Sequence, residues 1–284
     1  MMYMKFNLYT GIDGFKADVY DILLEDEVCN NLPIGIINGK SDTAANWLLS
    51  TVTDDLGVIV LIAVCTPPFN LLLVEPARPG DDGSALKKLS GGLKDIGFTL
   101  PGILAKNGLA RRFANEYSGI NAGVLKSSLV LMKLDKPEEY NKAPGFCRFL
   151  TEEDLLFTPS WEHEFCIDCN LPLYTPKENE DRIRSRLGKD SHFIWVDKEP
   201  VSQAVYGRET PNSAVVSWVY TPPQLRERGY ATSVVAEVTK SMLKRGKKSC
   251  CLFADAANPT SRSVYRKLGY HDLCMFDEIK FDMR

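Results

Sequence analysis

The sequence predicts a mixed α/β protein of two domains, and three observations carry that prediction. The chain has 284 residues, against the ~100 to 200 of a usual domain. Short β-branched apolar runs alternate with stretches whose apolar residues recur at helical spacing. Near the middle, 135–145 reads DKPEEYNKAPG, which is polar, holds two prolines and a glycine, and has no hydrophobic period to bury. The expected division is a first domain over 1–134, a linker over 135–145 and a second domain over 146–284. With 44% hydrophobic, 25% charged and 10% aromatic residues, the composition fits a chain folded around a core and excludes a disordered, collagen-like or coiled-coil one.

The first expected element is an amphipathic helix around Val19, Ile22, Leu23 and Val28, with acidic residues at its other positions. The run 56–65 is short, apolar and β-branched. Bounded by Asp54, Asp55 and the Pro67-Pro68 pair, it suits a buried strand, with 71–74 as the next. Helical spacing follows over 81–94 and 106–117, and 124–134 reads as a strand leading out of this half. Past the linker, 146–150 reads as a strand. Thr151, with Asp154 three residues on, has the form of a helix-starting cap, and a helical region follows to about Leu187. The β-rich runs 193–196, 201–206 and 214–220, separated by DKEP and ETPNS, predict an antiparallel meander, so the second half is α+β at its start.

A net charge of −3 leaves no overall basic field to hold nucleic acid or an anionic membrane. The longest apolar run, 56–65, is half the roughly 20 residues of a spanning helix. The start, MMYMKFNLYT, shows no apolar stretch after a basic one. Without such a signal, the eight cysteines read as reduced thiols, and the expected location is cytoplasmic.

The informative stretch is 215–248, VVSWVYTPPQLRERGYATSVVAEVTKSMLKRGKK. A strand ends at Tyr220 or Thr221, the prolines stop it, and a helix opens near Gly229 with Ala231, Val234, Val235, Val238 and Met242 on one face. The first turn of a helix has unpaired backbone N–H groups and the positive end of the dipole, so a phosphate there satisfies both. Gly229 and the small Ala231 keep side chains out of the way, and Arg226 and Arg228 add charge. The pattern R-x-x-G-x-A at Arg226, Gly229 and Ala231, directly after V-x-T-P-P, resembles the acyl-CoA pyrophosphate loop of the GNAT acyltransferase superfamily. The resemblance implies that Arg226, Glu227, Arg228, Gly229, Tyr230, Ala231 and Thr232 hold the diphosphate of acetyl-CoA. It also implies that Val219, Tyr220 and Thr221 pair with the pantetheine arm.

Downstream, 249–273 reads SCCLFADAANPTSRSVYRKLGYHDL: a strand over 250–254, a short helix from Asn258-Pro259, and a stop at Gly269. By the same resemblance Asn258 lies beside the cofactor arm and Tyr265 beside the thioester sulfur as the proton donor. The plain alternatives are a helix cap and a half-buried core aromatic. More narrowly, the two blocks are similar to a group of bacterial GNAT proteins with an extra N-terminal half, from which Ala256-Ala257 departs where relatives often carry Leu-Ala. Cys65-Thr66-Pro67-Pro68 echoes Tyr220-Thr221-Pro222-Pro223, which suggests two related halves. The chain after the first echo, FNLLLVEP, lacks the arginine, glycine and small residue of a cradle. The expected fold is thus a tandem GNAT-like pair of mixed sheets flanked by helices, the first copy degenerate.

Acyl transfer to an amine also needs a base, because an ordinary aliphatic amine with a pKa near ~10 is protonated at neutral pH. The strand before the loop, SAVVSWV, has no acid, so Glu162, Glu164 and Glu209 are the candidates, with His163 beside them. Each has a solvated-surface reading too. His163, Cys166 and Cys169 form H-x-x-C-x-x-C, but a fourth ligand is not indicated and no metal is expected. Cys250 and Cys251, adjacent on a strand, point to opposite faces. Lys244, Arg245, Lys247 and Lys248 end a helix, where their charge complements the dipole. The reading is an acetyl-CoA-dependent N-acetyltransferase with an unidentified amine acceptor, its first half shaping the acceptor pocket. The alternatives are a non-catalytic acyl-CoA-binding module and a tandem aminoacyl-tRNA-dependent transferase.

Overall fold

The computed structural model describes residues 3–39, 46–76, 83–119 and 123–281. In chain order the elements are β1 (Lys5–Leu8), α1 (Ile12–Leu24), α2 (Asn31–Asn38), β2 (Leu48–Thr53), β3 (Ile59–Cys65), β4 (Leu71–Val74), α3 (Ser84–Asp95), β5 (Gly102–Lys106), α4 (Asn107–Ser118) and β6 (Gly123–Leu134). Then follow β7 (Phe146–Phe149), α5 (Thr158–Asp168), α6 (Pro176–Arg184), β8 (His192–Asp197), β9 (Glu199–Gly207), β10 (Ser213–Tyr220), α7 (Tyr230–Lys244), β11 (Ser249–Asp255), α8 (Pro259–Arg266) and β12 (His271–Phe281). The second set repeats the first in kind and order, so the chain holds two copies of one β-α-α-β-β-β-α-β-α-β unit.

Contacts divide it into Met1–Leu131 with Cys274–Arg284, and Met132–Leu273. In the first unit β1, β2, β3 and β4 pair antiparallel in turn and β4 pairs parallel with β5. The sheet is then completed by the C-terminal strand: β12 runs antiparallel to β5, from Phe276 opposite Lys106 to Lys280 opposite Gly102. Side chains alternate across this sheet. Leu61, Ala63 and Cys65 of β3 join the core with Leu89 and Leu93 of α3 and Phe113 of α4, while Ile62 and Val64 join Phe15, Val19 and Leu23 of α1. Burial on both faces explains why β3 reads as a continuous apolar run. Each of the three α1 anchors is fully buried, a stabilisation of about 1.5–3 kcal/mol apiece.

Several expected bounds move. Strand β3 begins at Ile59, because Asp54 Oδ1 accepts from the backbone N of Leu56 (3.0 Å) and of Val58 (2.8 Å) and closes a hairpin loop. Leu56 is 84% exposed in it. Val28 is buried but lies past the end of α1. Helix α3 spans Ser84–Asp95, and residues 81 and 82 of the expected helix lie outside the described residues. The echo at Thr66-Pro67-Pro68 is the turn between antiparallel β3 and β4 and leads into no helix. By element order the partner of β10 and α7 is β4 and α3. That register sets Glu75-Pro76 against Thr221-Pro222 and Gly83 against Gly229, both glycines capping a helix with positive φ (91° and 82°). In the first copy Gly80 then stands in place of Arg226, and Asp81-Asp82 in place of Glu227-Arg228.

In the second unit β8, β9 and β10 form the expected meander, β7 extends it antiparallel to β8, and β11 joins β10 in parallel. Helix α7 is buried through Val234, Val235, Val238 and Met242. The helical region to Leu187 is a 3-10 turn over Glu152–Leu156, started by the Thr151 and Asp154 capping box, and two helices: Asn170 takes positive φ (50°), and Thr175 with Glu178 starts α6 afresh through a reciprocal capping box. Segment 135–145 has neither helix nor strand. It is fastened within this unit: Glu138 N donates to Leu268 O (3.0 Å), Ala143 N to Ser233 Oγ (2.9 Å) and Trp195 Nε1 to Pro144 O (2.9 Å).

His192 on β8 is buried, with Nε2 3.2 Å from Gln203 Oε1. Burial, helped by the nearby Arg186 charge, lowers its pKa to about 3. The unfolded chain, near 6.5, takes up the proton first, so the contribution of neutral His192 is complete above that value and is lost as pH falls toward 3. Between pH 7 and pH 5 the wild type should lose about 2 kcal/mol more than His192→Gln in denaturant unfolding. Parallel stability–pH curves for the two proteins would refute the assignment.

Candidate active site

The site is built where β10 meets α7. Strand β10 pairs with β9 as far as Tyr220 opposite Gln203, through a bulge at which Trp218 takes positive φ (53°). On its other edge it pairs with β11 only from Ser213 opposite Ser249 to Val215 opposite Cys251. Beyond that point the two parallel strands part, and among the described residues the edge of β10 toward Tyr220 has no ladder partner on that side. An open strand edge can hydrogen-bond an extended amide-bearing chain.

After the prolines and a 3-10 turn over Pro223–Leu225, Glu227 (φ 66°) and Gly229 (φ 82°) both take positive φ, bending the chain into the start of α7. The first bond back is Ser233 N to Gly229 O at 3.0 Å. Among the described residues the N–H groups of 227–232 have no acceptor. A Cβ at Gly229 would meet only Ala143 Cβ at 3.7 Å, so the concave side of the turn is open. This run of N–H groups at a helix N-terminus suits an anion such as a diphosphate.

The side chains of the loop are committed elsewhere. Arg226 donates through Nε to Thr221 O (3.0 Å) and through Nη2 to Asp168 Oδ2 (2.6 Å), bracing the loop against α5. Arg228 Nη2 reaches Gln224 O at 3.3 Å. Tyr230 is buried, its hydroxyl donating to Asp197 Oδ2 at 2.5 Å, and Thr232 is buried too. Backbone, then, forms the cradle. Val219 is half-buried on the bulged stretch. Tyr220 and Thr221 are fixed from the β9 side, Ser202 Oγ donating to Tyr220 O (3.0 Å) and lying 2.8 Å from Thr221 Oγ1.

A cleft of about 400 Å³ opens between one face of α5, carrying Trp161, Glu164, Ile167 and Asp168, and Tyr220 and Pro222 across from it. The Tyr220 hydroxyl donates to Glu164 Oε2. Asp168 is paired with Arg226, while Glu164, among the described residues, has no ion-pair partner. The other candidate bases lie elsewhere. Glu162 is fully buried against the Arg186 guanidinium, and burial raises its pKa. Glu209 sits before the start of β10, at the far end of that strand from the loop, paired with Lys247 at 3.0 Å. His163 is exposed and off the cleft-lining face.

Asn258 caps α8, its Oδ1 accepting from Ser261 N (3.0 Å), which leaves its amide nitrogen to donate outward. Tyr265 is buried in α8, ring against Tyr270 at 6.1 Å. Burial pushes its phenol up to about 12, the Ser261 hydroxyl acting the other way. The neighbouring Cys169 also raises it, and Cys169 is influenced by Asp168 and Asp255. Counting from Asn107 as from Asn258, Ala114 takes this position in the first copy.

Cys250 and Cys251 are both buried. Cys250 Sγ lies 3.9 Å from Thr239 O, and Ser213 Oγ donates to Cys251 Sγ at 3.8 Å. In the basic run, Arg245 donates to the Tyr206 hydroxyl and Lys247 to Thr210 O (2.7 Å). Among the described residues no group of three His, Cys, Asp or Glu side chains is arranged to hold a metal ion, and no helix is long and apolar enough to cross a membrane.

Residues 195–277 match the FR47-like protein family model. Over nearly the whole chain the fold is similar to that of a GCN5-related N-acetyltransferase from Sphaerobacter thermophilus (TM-score 0.69, 14% identity, covering 97% of this chain and 94% of that one). A tandem GNAT protein from the clavulanic acid biosynthesis pathway matches with TM-score 0.62 and 12% identity over 98% of each chain. A GNAT-family acetyltransferase from Colwellia psychrerythraea matches with TM-score 0.61 and 10% identity over 98% of this chain and 100% of that one. No curated protein matches in sequence. The chain thus has, over nearly its whole length, a fold similar to that of these GNAT proteins, a tandem one among them, and within its second half it matches the FR47-like model.

Proposed function

We propose that the second unit is an acetyl-CoA-dependent N-acetyltransferase acting on an amine. The observation that carries this reading is the parting of β10 from β11 beside an unpaired run of N–H groups entering α7. Acetyl-CoA would supply an activated acyl carbonyl on a thioester. The backbone of Arg226, Glu227, Arg228, Gly229, Tyr230, Ala231 and Thr232 would hold its diphosphate. Val219, Tyr220 and Thr221 would pair with the pantetheine arm along the open edge, and the Asn258 amide would donate to it.

Glu164 is the base in this reading: a carboxylate in the cleft, without an ion-pair partner among the described residues and oriented by the Tyr220 hydroxyl. Tyr265, with a pKa of about 12, keeps its proton at neutral pH. Complete transfer to a thiolate of ordinary pKa, ~8.5, is uphill by roughly 5 kcal/mol. Its role is therefore to donate a hydrogen bond to sulfur as negative charge develops, while solvent supplies the proton after release.

The test is steady-state kinetics with a panel of amines and acetyl-CoA. Tyr265→Phe should lower kcat about 10- to 100-fold with acetyl-CoA affinity held within about twofold. Glu164→Gln should lower kcat/KM about 10- to 100-fold with acetyl-CoA affinity unchanged. Wild-type turnover in Tyr265→Phe would make the phenol a packing residue. Tight acetyl-CoA binding without acetylation of any amine would remove the enzymatic reading.

A further inference from the structure

Away from the acyl-transfer site, two cysteines far apart in sequence meet in the first unit. Cys29, in the connection between α1 and α2, and Cys274, on β12, have their sulfurs 3.3 Å apart. Cys29 is buried and Cys274 half-buried, so a small oxidant reaches the pair from the Cys274 side. Charge surrounds them. Cys29 N donates to Asp26 Oδ1 (3.4 Å), and Asp26 Oδ2 is bound by the Lys106 ammonium at 2.9 Å.

We propose that Cys29 and Cys274 are a reversible disulfide site, closed by a low-molecular-weight disulfide. The reaction is two exchanges. The Cys274 thiolate attacks one sulfur of the oxidant RS–SR, forming Cys274–S–SR and expelling RS⁻. Cys29 loses its proton to solvent and attacks the Cys274 sulfur, breaking the mixed bond and expelling the second RS⁻. Both thiolates are protonated, so the oxidant leaves as two RSH and the protein gives up two thiol hydrogens and two electrons.

The surroundings fit these roles. The Cys29 thiol, donating to the Cys274 sulfur, holds Cys274 below the ordinary thiol range, and Lys106 acts in the same sense. The Cys29 thiol is pushed up, first by that hydrogen bond and then by burial. One partner is the ready nucleophile and the other is held in reserve. Elsewhere Cys65, Cys147 and Cys250 are pushed up to about 12 by burial, which makes them poor competitors. The bond would tie β12, the strand that completes the first sheet, to the α1–α2 connection. This site stands apart from the acetyltransferase reading and does not depend on it.

The experiment uses the full chain with excess oxidised glutathione at neutral pH. Tryptic peptides analysed without reduction should show Cys29 joined to Cys274, and dithiothreitol should reverse the linkage. Closing so long a loop should raise the melting temperature by on the order of 5–10 °C. Cys29→Ser and Cys274→Ser should each lose both the linked peptide and the rise. Glutathione remaining on Cys274, a different linked pair, or no linkage at all would overturn the proposal.

Discussion

If acetyl-CoA binds as proposed it should raise the melting temperature of the wild-type chain, and Gly229→Asp is expected to abolish that rise and weaken binding by about 100- to 1,000-fold. The glycine caps α7 with φ 82°, where an L-residue costs ~1–2 kcal/mol. A Cβ there meets only Ala143 Cβ, in ordinary contact at 3.7 Å. The ligand-free variant should therefore stay folded and melt a few degrees lower. The added carboxylate, however, stands where a diphosphate would take up the N–H groups of 227–232. Like charges ~4 Å apart near a protein surface repel by about 4 kcal/mol, a factor near a thousand. Gly229→Ala shares the backbone strain without the charge and should lose no more than about tenfold. Calorimetric titration of both variants separates the terms, and an aspartate variant that binds as wild type does would dismiss the cradle.

Ending the chain at Leu273 is expected to unfold the first unit, although its own sequence up to Leu131 is untouched. The removed strand supplies Phe276, Ile279 and Phe281, each buried. Large apolar side chains cost ~2–5 kcal/mol each when deleted from a core. Asp277 goes with them, leaving Arg111 Nε (2.7 Å) and Ser128 Oγ (2.6 Å) without their acceptor. Glu278, which accepts from Asn70 Nδ2 (2.9 Å) and Ser127 Oγ (3.0 Å), is lost too. The exposed edge of β5 adds its unpaired amides. Against a usual domain stability of 5–15 kcal/mol, the loss is decisive. Hydrogen exchange should show β2 and β3 unprotected in the truncated chain, and Ile279→Ala in the full chain should cost about 2–4 kcal/mol. A truncated protein that kept protection in β2 and β3 would show the first sheet to be self-sufficient.

Parts of the fold were hidden from sequence reasoning for local reasons. Strand β2, with Ser50 and Thr51 buried alongside Leu48, Leu49 and Val52, has neither alternation nor a purely apolar run. Helix α2 contains Pro33 and Gly35, which read as breakers. Pro33 falls in its first turn, where the missing N–H costs nothing. The tetrapeptide echo misled for the opposite reason: Thr-Pro-Pro ends a strand equally well before a hairpin and before a helix. The same ambiguity attends Glu162 and Glu164, near neighbours on one helix, one buried under Arg186 and the other facing Tyr220 across the cleft.

What the sequence determined by itself was local. A glycine before an apolar-faced helix, a small residue two positions on, and prolines closing the strand before it are features met within a dozen residues, and they point to the start of α7 as a place for an anion. Tertiary structure decided which strand edge stays open, which acid faces the cleft, where Tyr265 lies and which sheet takes the last strand. Each of these depends on what stands opposite a residue after remote segments pair, and pairing between distant strands is set by the packing of the whole unit, not by the pattern of either strand.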